Sequence, residues 1–196
     1  MRGQSLRILL FITASTLTLI NRTSCDTEPK PGRTLAIIKP DGVSGGYNNI
    51  IHTVIIDSGF KVITMKSTQL NESQATNFYV EHQNRIFFPN LIKYMTSGPV
   101  VIMVLEKPNA IAEWRALIGP TDASEAKKSH PSSIRAMCGN DKERNCVHGS
   151  DSPDSAAREI EFFFGKTYVM ANYSSYDQET TIGSSEGEIS SSHDEL

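Results

Sequence analysis

The chain has 196 residues, 38% of them hydrophobic, which is enough for one packed domain with extensions and excludes global disorder. Lys plus Arg total 19 against 22 for Asp plus Glu, a net charge of −3, which argues against a basic duplex-binding protein and leaves no nucleic acid expected as partner. The 13 glycines and the lack of sustained heptads exclude collagen-like and coiled-coil chains.

Residues 1–25 contain three arginines and no acid, and residues 8–20 are a short apolar run. A basic start before a short apolar stretch is the pattern of a signal peptide. The run is too short and too rich in Ser and Thr to span a bilayer, which takes about 20 apolar residues. Thr23 and Cys25 place small residues at the −3 and −1 positions of a cut before Asp26, after which no membrane span is expected. Residues 26–32, with the run EPKPG, read as a linker.

A domain is expected over residues 33–168. Residues 34–39 form a β-branched run closed by the turn signal Pro40-Asp41-Gly42. Apolar residues at 47, 50, 51, 54 and 55 have helical spacing. Alternation over 60–67 predicts a strand, and 72–81 and 90–95 predict short helices. Residues 99–105 (PVVIMVL) predict a central strand buried on both faces. A helix over 110–118 precedes a long polar stretch, 119–144, of the kind that carries function. A short strand is expected over 145–147. Ser152 and Pro153 open a helix running to 164. The alternation of strands and helices points to one α/β sandwich.

Residues 173–196 carry six acids and no Lys or Arg. This acidic tail is expected to be disordered. It ends in His193-Asp194-Glu195-Leu196, the retrieval address of the endoplasmic reticulum, whose partner is an HDEL-type receptor. Leader and address together lead to the expectation that the protein resides in the endoplasmic reticulum lumen. There, Asn71 and Asn172 lie in glycosylation sequons, while a third at Asn21 leaves with the leader. Cys138 and Cys146 pair or stay as two buried thiols; the sequence leaves both open.

The segment Asn145-Cys-Val-His-Gly-Ser-Asp-Ser152 concentrates the chemistry. His148 leaves an apolar strand end just before a helix whose N-terminal amides favour anions. Glu159, eleven positions on, lies on that helix and can fold back to the imidazole. A neutral imidazole held by a carboxylate is a competent nucleophile. A structural histidine at a strand end is the plainer reading of His148 alone.

His148 is not alone. Lys39-Pro-Asp-Gly-Val43, Phe87-Phe-Pro, Tyr94-Met-Thr-Ser-Gly-Pro-Val-Val101, Trp114-Arg-Ala-Leu-Ile-Gly119, Ser133-Ile-Arg135 and His148-Gly-Ser-Asp-Ser152 occur in this order. The ordered set resembles the nucleoside diphosphate kinase family over residues 33–168. The stretch from Pro120 to Pro131 is similar to the family's divergent branch, with a longer loop before the catalytic His. The resemblance implies a ferredoxin-like sandwich, a four-stranded antiparallel sheet covered by helices, and assembly into homo-oligomers. It implies transfer of the γ-phosphoryl of ATP to a nucleoside diphosphate through phosphohistidine. His148 then takes the place of the nucleophile, attacking through Nδ1, and Glu159 that of the orienting carboxylate. Lys39, Arg115, Thr121 and Arg135 match phosphate-binding residues, and Asn145 matches the ribose contact. Phe87 matches the aromatic that stacks on the base, with Leu91 beside it and Tyr79 near the catalytic His. No carboxylate cluster suggests a dedicated metal cage, so Mg²⁺ is expected to arrive with the nucleotide. The competing reading is a non-catalytic nucleotide-binding or scaffold module. Cys138 and Cys146, if paired, would clamp the end of the lengthened loop near His148. His52, His82 and His130 match nothing catalytic and are expected at the surface.

Overall fold

The computed structural model describes residues 31–166. The leader, the retrieval address and Asn172 lie outside them. The elements in order are β1 (Pro31–Ile38), α1 (Pro40–Ser44), α2 (Asn48–Asp57), β2 (Lys61–Gln69), α3 (Glu72–Phe78), a 3-10 turn (Val80–His82) and α4 (Phe88–Met95). Then follow β3 (Pro99–Pro108), α5 (Ala110–Ile118), α6 (Ala123–Ser129), α7 (Ile134–Cys138), β4 (Val147–Gly149) and α8 (Pro153–Phe164). Since β1 opens at Pro31, the last two residues of the expected linker are strand.

The sheet has four strands in the order β2-β3-β1-β4, with every neighbouring pair antiparallel. This is the ferredoxin-like arrangement. Helices cover both faces, so the central strands read as apolar runs rather than alternating ones. Leu35 and Ile37 of β1 face Phe78, Leu91, Met95, Ile160 and Phe163 on one side. Ala36 and Ile38 face Ile51, Ile55, Trp114, Ile118 and Ile134 on the other. All four β1 residues are essentially inaccessible. β2 and β4 are the two edge strands, and β2 is largely exposed.

Four local expectations change. Pro40-Asp41-Gly42 opens the short helix α1 rather than ending in a turn, because Pro at a first helical position is pre-set for helix. The helix expected over 72–81 divides into α3 and the 3-10 turn. The polar stretch 119–144 contains α6 and α7, capped by the side chains of Asp122 and Ser133. The last strand is displaced to Val147–Gly149, where Ile37 pairs with His148 and Ala36 with Gly149. His148 therefore sits within β4 and not beyond its end.

Candidate active site

β4 and α8 meet at one carboxylate. Ser152 caps α8 by accepting a hydrogen bond from the Ser155 amide at 3.1 Å, and Pro153 follows at the first helical position. Two turns later Glu159 lies buried against β4. His148 Nε2 stands 2.9 Å from Glu159 Oε2, and the Ser150 hydroxyl donates to the same oxygen at 2.7 Å. An ionised carboxylate only accepts, so Nε2 carries the proton and donates. The lone pair is then on Nδ1, and no hydrogen bond among the described residues occupies it. Ser150 in turn accepts the Leu35 amide of β1 at 3.1 Å, which ties the carboxylate to the sheet.

The imidazole is held from other directions as well. The Trp114 indole donates to the His148 carbonyl at 3.1 Å. Gly149 allows that approach: a Cβ there would lie 2.5 Å from the indole ring. Phe78 and Tyr79 pack edge-on to the imidazole, at 5.4 and 6.3 Å between ring centres. The Tyr79 hydroxyl is buried and has no hydrogen-bond partner among the described residues. Burial, then the Glu159 charge, push its pKa well above the usual phenol value.

A second cluster gathers cations. Lys39, just after β1, is buried and donates to Asn145 Oδ1 at 2.7 Å and to the Glu143 carbonyl at 3.3 Å. Asn145 donates to the carbonyls of Thr121 and Lys142 at 2.8 and 2.9 Å. Its carboxamide thus holds Lys39, and Oδ1 has a second lone pair for a ribose hydroxyl. Arg135 on α7 donates to the Gly119 carbonyl at 2.7 Å and the Val147 carbonyl at 3.2 Å, and its buried Nε has no hydrogen-bond partner among the described residues. Burial, then the Arg135 charge, lower the Lys39 pKa to about 8. Burial, then Arg115, lower Arg135 to about 10. These like charges are held together against their own repulsion, a state that an incoming polyanion relieves.

The remaining expected residues are more open. Arg115 is exposed on α5, and the side chain of Thr121 is exposed beside α6. Phe87 caps α4 and is 48% exposed, whereas Leu91 is buried in the core beneath it. Phe87 packs on His82 at 5.8 Å, His82 stacks on Tyr79 at 6.3 Å, and Tyr79 reaches His148. His82 is exposed, as are His52 and His130, but it belongs to this row of rings. Ser150 and Asp41 were not anticipated. Asp41 accepts from the Tyr94 hydroxyl and, at 3.0 Å, from the Cys146 amide. Their partners are distant in sequence; only the position of Ser150, two residues after His148, hinted at a shared side of the strand.

The family model for nucleoside diphosphate kinase matches residues 32–169. The chain belongs to that family. It is 59% identical over 128 residues to the probable nucleoside diphosphate kinase 5 of Arabidopsis thaliana, covering 65% of this chain and 89% of that protein. It is 46% identical over 138 residues to the nucleoside diphosphate kinase of Geobacter sp. strain M21, covering 70% of this chain and 98% of the relative. The crystal structure of the Aquifex aeolicus enzyme superposes with a TM-score of 0.69 at 44% identity, over 70% of this chain and 97% of that one.

Proposed function

We propose that this protein moves the γ-phosphoryl group of a nucleoside triphosphate to a nucleoside diphosphate by way of phosphohistidine at His148. The 2.9 Å contact between His148 Nε2 and Glu159 carries the reading, because it leaves Nδ1 as a directed, unprotonated nucleophile. Nδ1 attacks the γ-phosphorus and forms the N–P bond. The bond to the β,γ-bridging oxygen breaks, and the electron pair leaves with the diphosphate. A second diphosphate then attacks the phosphohistidine through its terminal oxygen, and Nδ1 leaves with its lone pair restored. Phosphoryl transfer needs positioned cations more than covalent help. Lys39, Arg135 and Arg115 supply them, Thr121 and Asn145 serve phosphate and ribose, and Phe87 offers a stacking face that accepts any base.

Among the described residues no group of three or more His, Cys, Asp or Glu side chains is placed to hold a metal ion. Mg²⁺ is proposed to enter with the nucleotide, as charge on the phosphates that are transferred. The proposed compartment is the endoplasmic reticulum lumen, with the HDEL receptor as partner and self-association as in the family. The basic, apolar start of the chain and residues 193–196 support it. No helix among the described residues is long and apolar enough to cross a membrane.

The test is to incubate the protein with γ-labelled ATP and Mg²⁺, then chase with UDP or GDP. Acid-labile, base-stable label that moves to the diphosphate is expected, and His148→Asn removes it. Nucleotide binding without label would favour a non-catalytic module.

A further inference from the structure

We propose that the Cys138–Cys146 disulfide is a positioning element of the nucleotide site, so that its reduction weakens nucleotide binding while leaving phosphoryl transfer intact. The inference rests on the nucleotide-binding roles assigned above to Lys39, Arg135 and Asn145. The two cysteines are bonded across eight positions and are both buried. Cys138 is the last residue of α7, the helix that carries Arg135. Cys146 lies between Asn145, which holds Lys39, and Val147, whose carbonyl accepts from Arg135. The bond therefore closes a loop whose members position both buried cations.

The backbone of Cys146 is the second observation. Its φ is +66°, a left-handed conformation that glycine adopts freely and cysteine does not. Such a residue persists only where its surroundings over-determine it. Here the amide donates to Asp41 Oδ2 at 3.0 Å, the carbonyl accepts the Lys39 amide at 2.7 Å, and the sulfur is tied to α7. Gly42 leaves room for that approach: a Cβ at Gly42 would lie 3.1 Å from the Cys146 carbonyl oxygen. Within the closed loop, Asp141 accepts from the amides of Glu143 and Arg144, and the carbonyls of Lys142 and Glu143 face Asn145 and Lys39. Cutting the S–S bond frees the loop end that presents these acceptors. His148 does not depend on that tie, since β1 pairing, Trp114 and Glu159 hold it.

Reduction by a dithiol breaks the S–S bond and leaves two thiols, while the reductant becomes a disulfide. The experiment uses the full chain, with the bond first mapped by non-reducing mass spectrometry. ADP affinity is read by calorimetry, which needs no turnover, and KM and kcat are read separately, for oxidised protein, dithiothreitol-reduced protein and Cys138→Ser. The expected result is a Kd for ADP and a KM about tenfold higher after reduction and in Cys138→Ser, with kcat within about twofold. Adding Cys146→Gly to Cys138→Ser is expected to recover part of the affinity, because glycine accepts the left-handed backbone. Free thiols in the oxidised protein, or an unchanged Kd after reduction, would overturn the proposal. A kcat that falls in step with affinity would also overturn it, as general loosening. If Cys138→Ser does not fold, the reduced wild-type chain decides. Loss of label at His148 with a redox-sensitive Kd would overturn the kinase reading and leave this one standing.

Discussion

The two halves of the site are built in opposite ways. Around His148 the polar partners are protein groups: Glu159 receives the imidazole and Ser150, Ser150 receives the β1 amide, and Trp114 holds the carbonyl. On the nucleotide side the groups that would meet a ligand are exposed or mutually repelling: Phe87, Arg115 and Thr121 are open, and the buried Lys39 and Arg135 sit with lowered pKa values. The proposed nucleophile is thus held by neutral packing and one carboxylate. The buried cations of the binding half are held by carbonyl and carboxamide oxygens and keep, among the described residues, no carboxylate partner that a substrate phosphate would have to displace. Such a division suits a reaction in which chemistry is one fixed step and the bases vary.

The largest expected break in this comparison is at the orienting carboxylate. Glu159→Gln should lower kcat by roughly a hundredfold with little change in ADP affinity, because an amide holds the imidazole tautomer poorly. Single-turnover phosphorylation of His148 checks it. Packing behind the nucleophile comes next. Gly149→Ala drives a methyl into Trp114 and should cost about 1–3 kcal/mol of stability, read as a lowered urea midpoint. The open half should respond differently. Phe87→Ala should raise KM for every base alike by roughly tenfold, as the loss of about 1–3 kcal/mol of stacking implies, and leave kcat unchanged. A fall in kcat instead would place Phe87 with the fixed half.

The smallest effect is a proton. Free Lys39 gives up its proton above about pH 8, whereas a bound polyphosphate favours the charged form. ADP binding just above that pH should therefore take up a fraction of a proton, seen as a dependence of the calorimetric heat on buffer ionisation, and Lys39→Met should abolish it. The same shift has a sign for folding. Between about 8 and the ordinary 10.5 the unfolded chain binds more protons at Lys39 than the folded one, so its contribution to stability rises with pH across that window.

The readability of the chain follows the length of its elements. β1 and β3 are long apolar runs, and α8 has its cap and proline together, so periodicity and punctuation sufficed. Glu159 meeting His148 was legible because the strand, the cap and the helix between them are consecutive. By contrast α6 and α7 have only seven and five residues, too few for a period, and the residues they bury, Ala123 and Ala126 in one and Ile134, Arg135 and Cys138 in the other, include a charged side chain that no apolar pattern marks. β4 has three residues, so its register was decided by pairing with β1 and not by its own pattern.

By itself, the sequence determined the long elements, the family resemblance and the choice of His148 as candidate nucleophile, since these depend on neighbours along the chain. Only the tertiary structure decided what holds each group. Ser150 meets the Leu35 amide 115 positions away, Asn145 meets Lys39 across 106, and Asp41 meets Cys146 across 105. It also joined Cys138 to Cys146, a pairing that spacing alone left open. The physical reason is the antiparallel sheet, which brings the ends of β1 and β4 together and makes neighbours of residues that no local pattern relates.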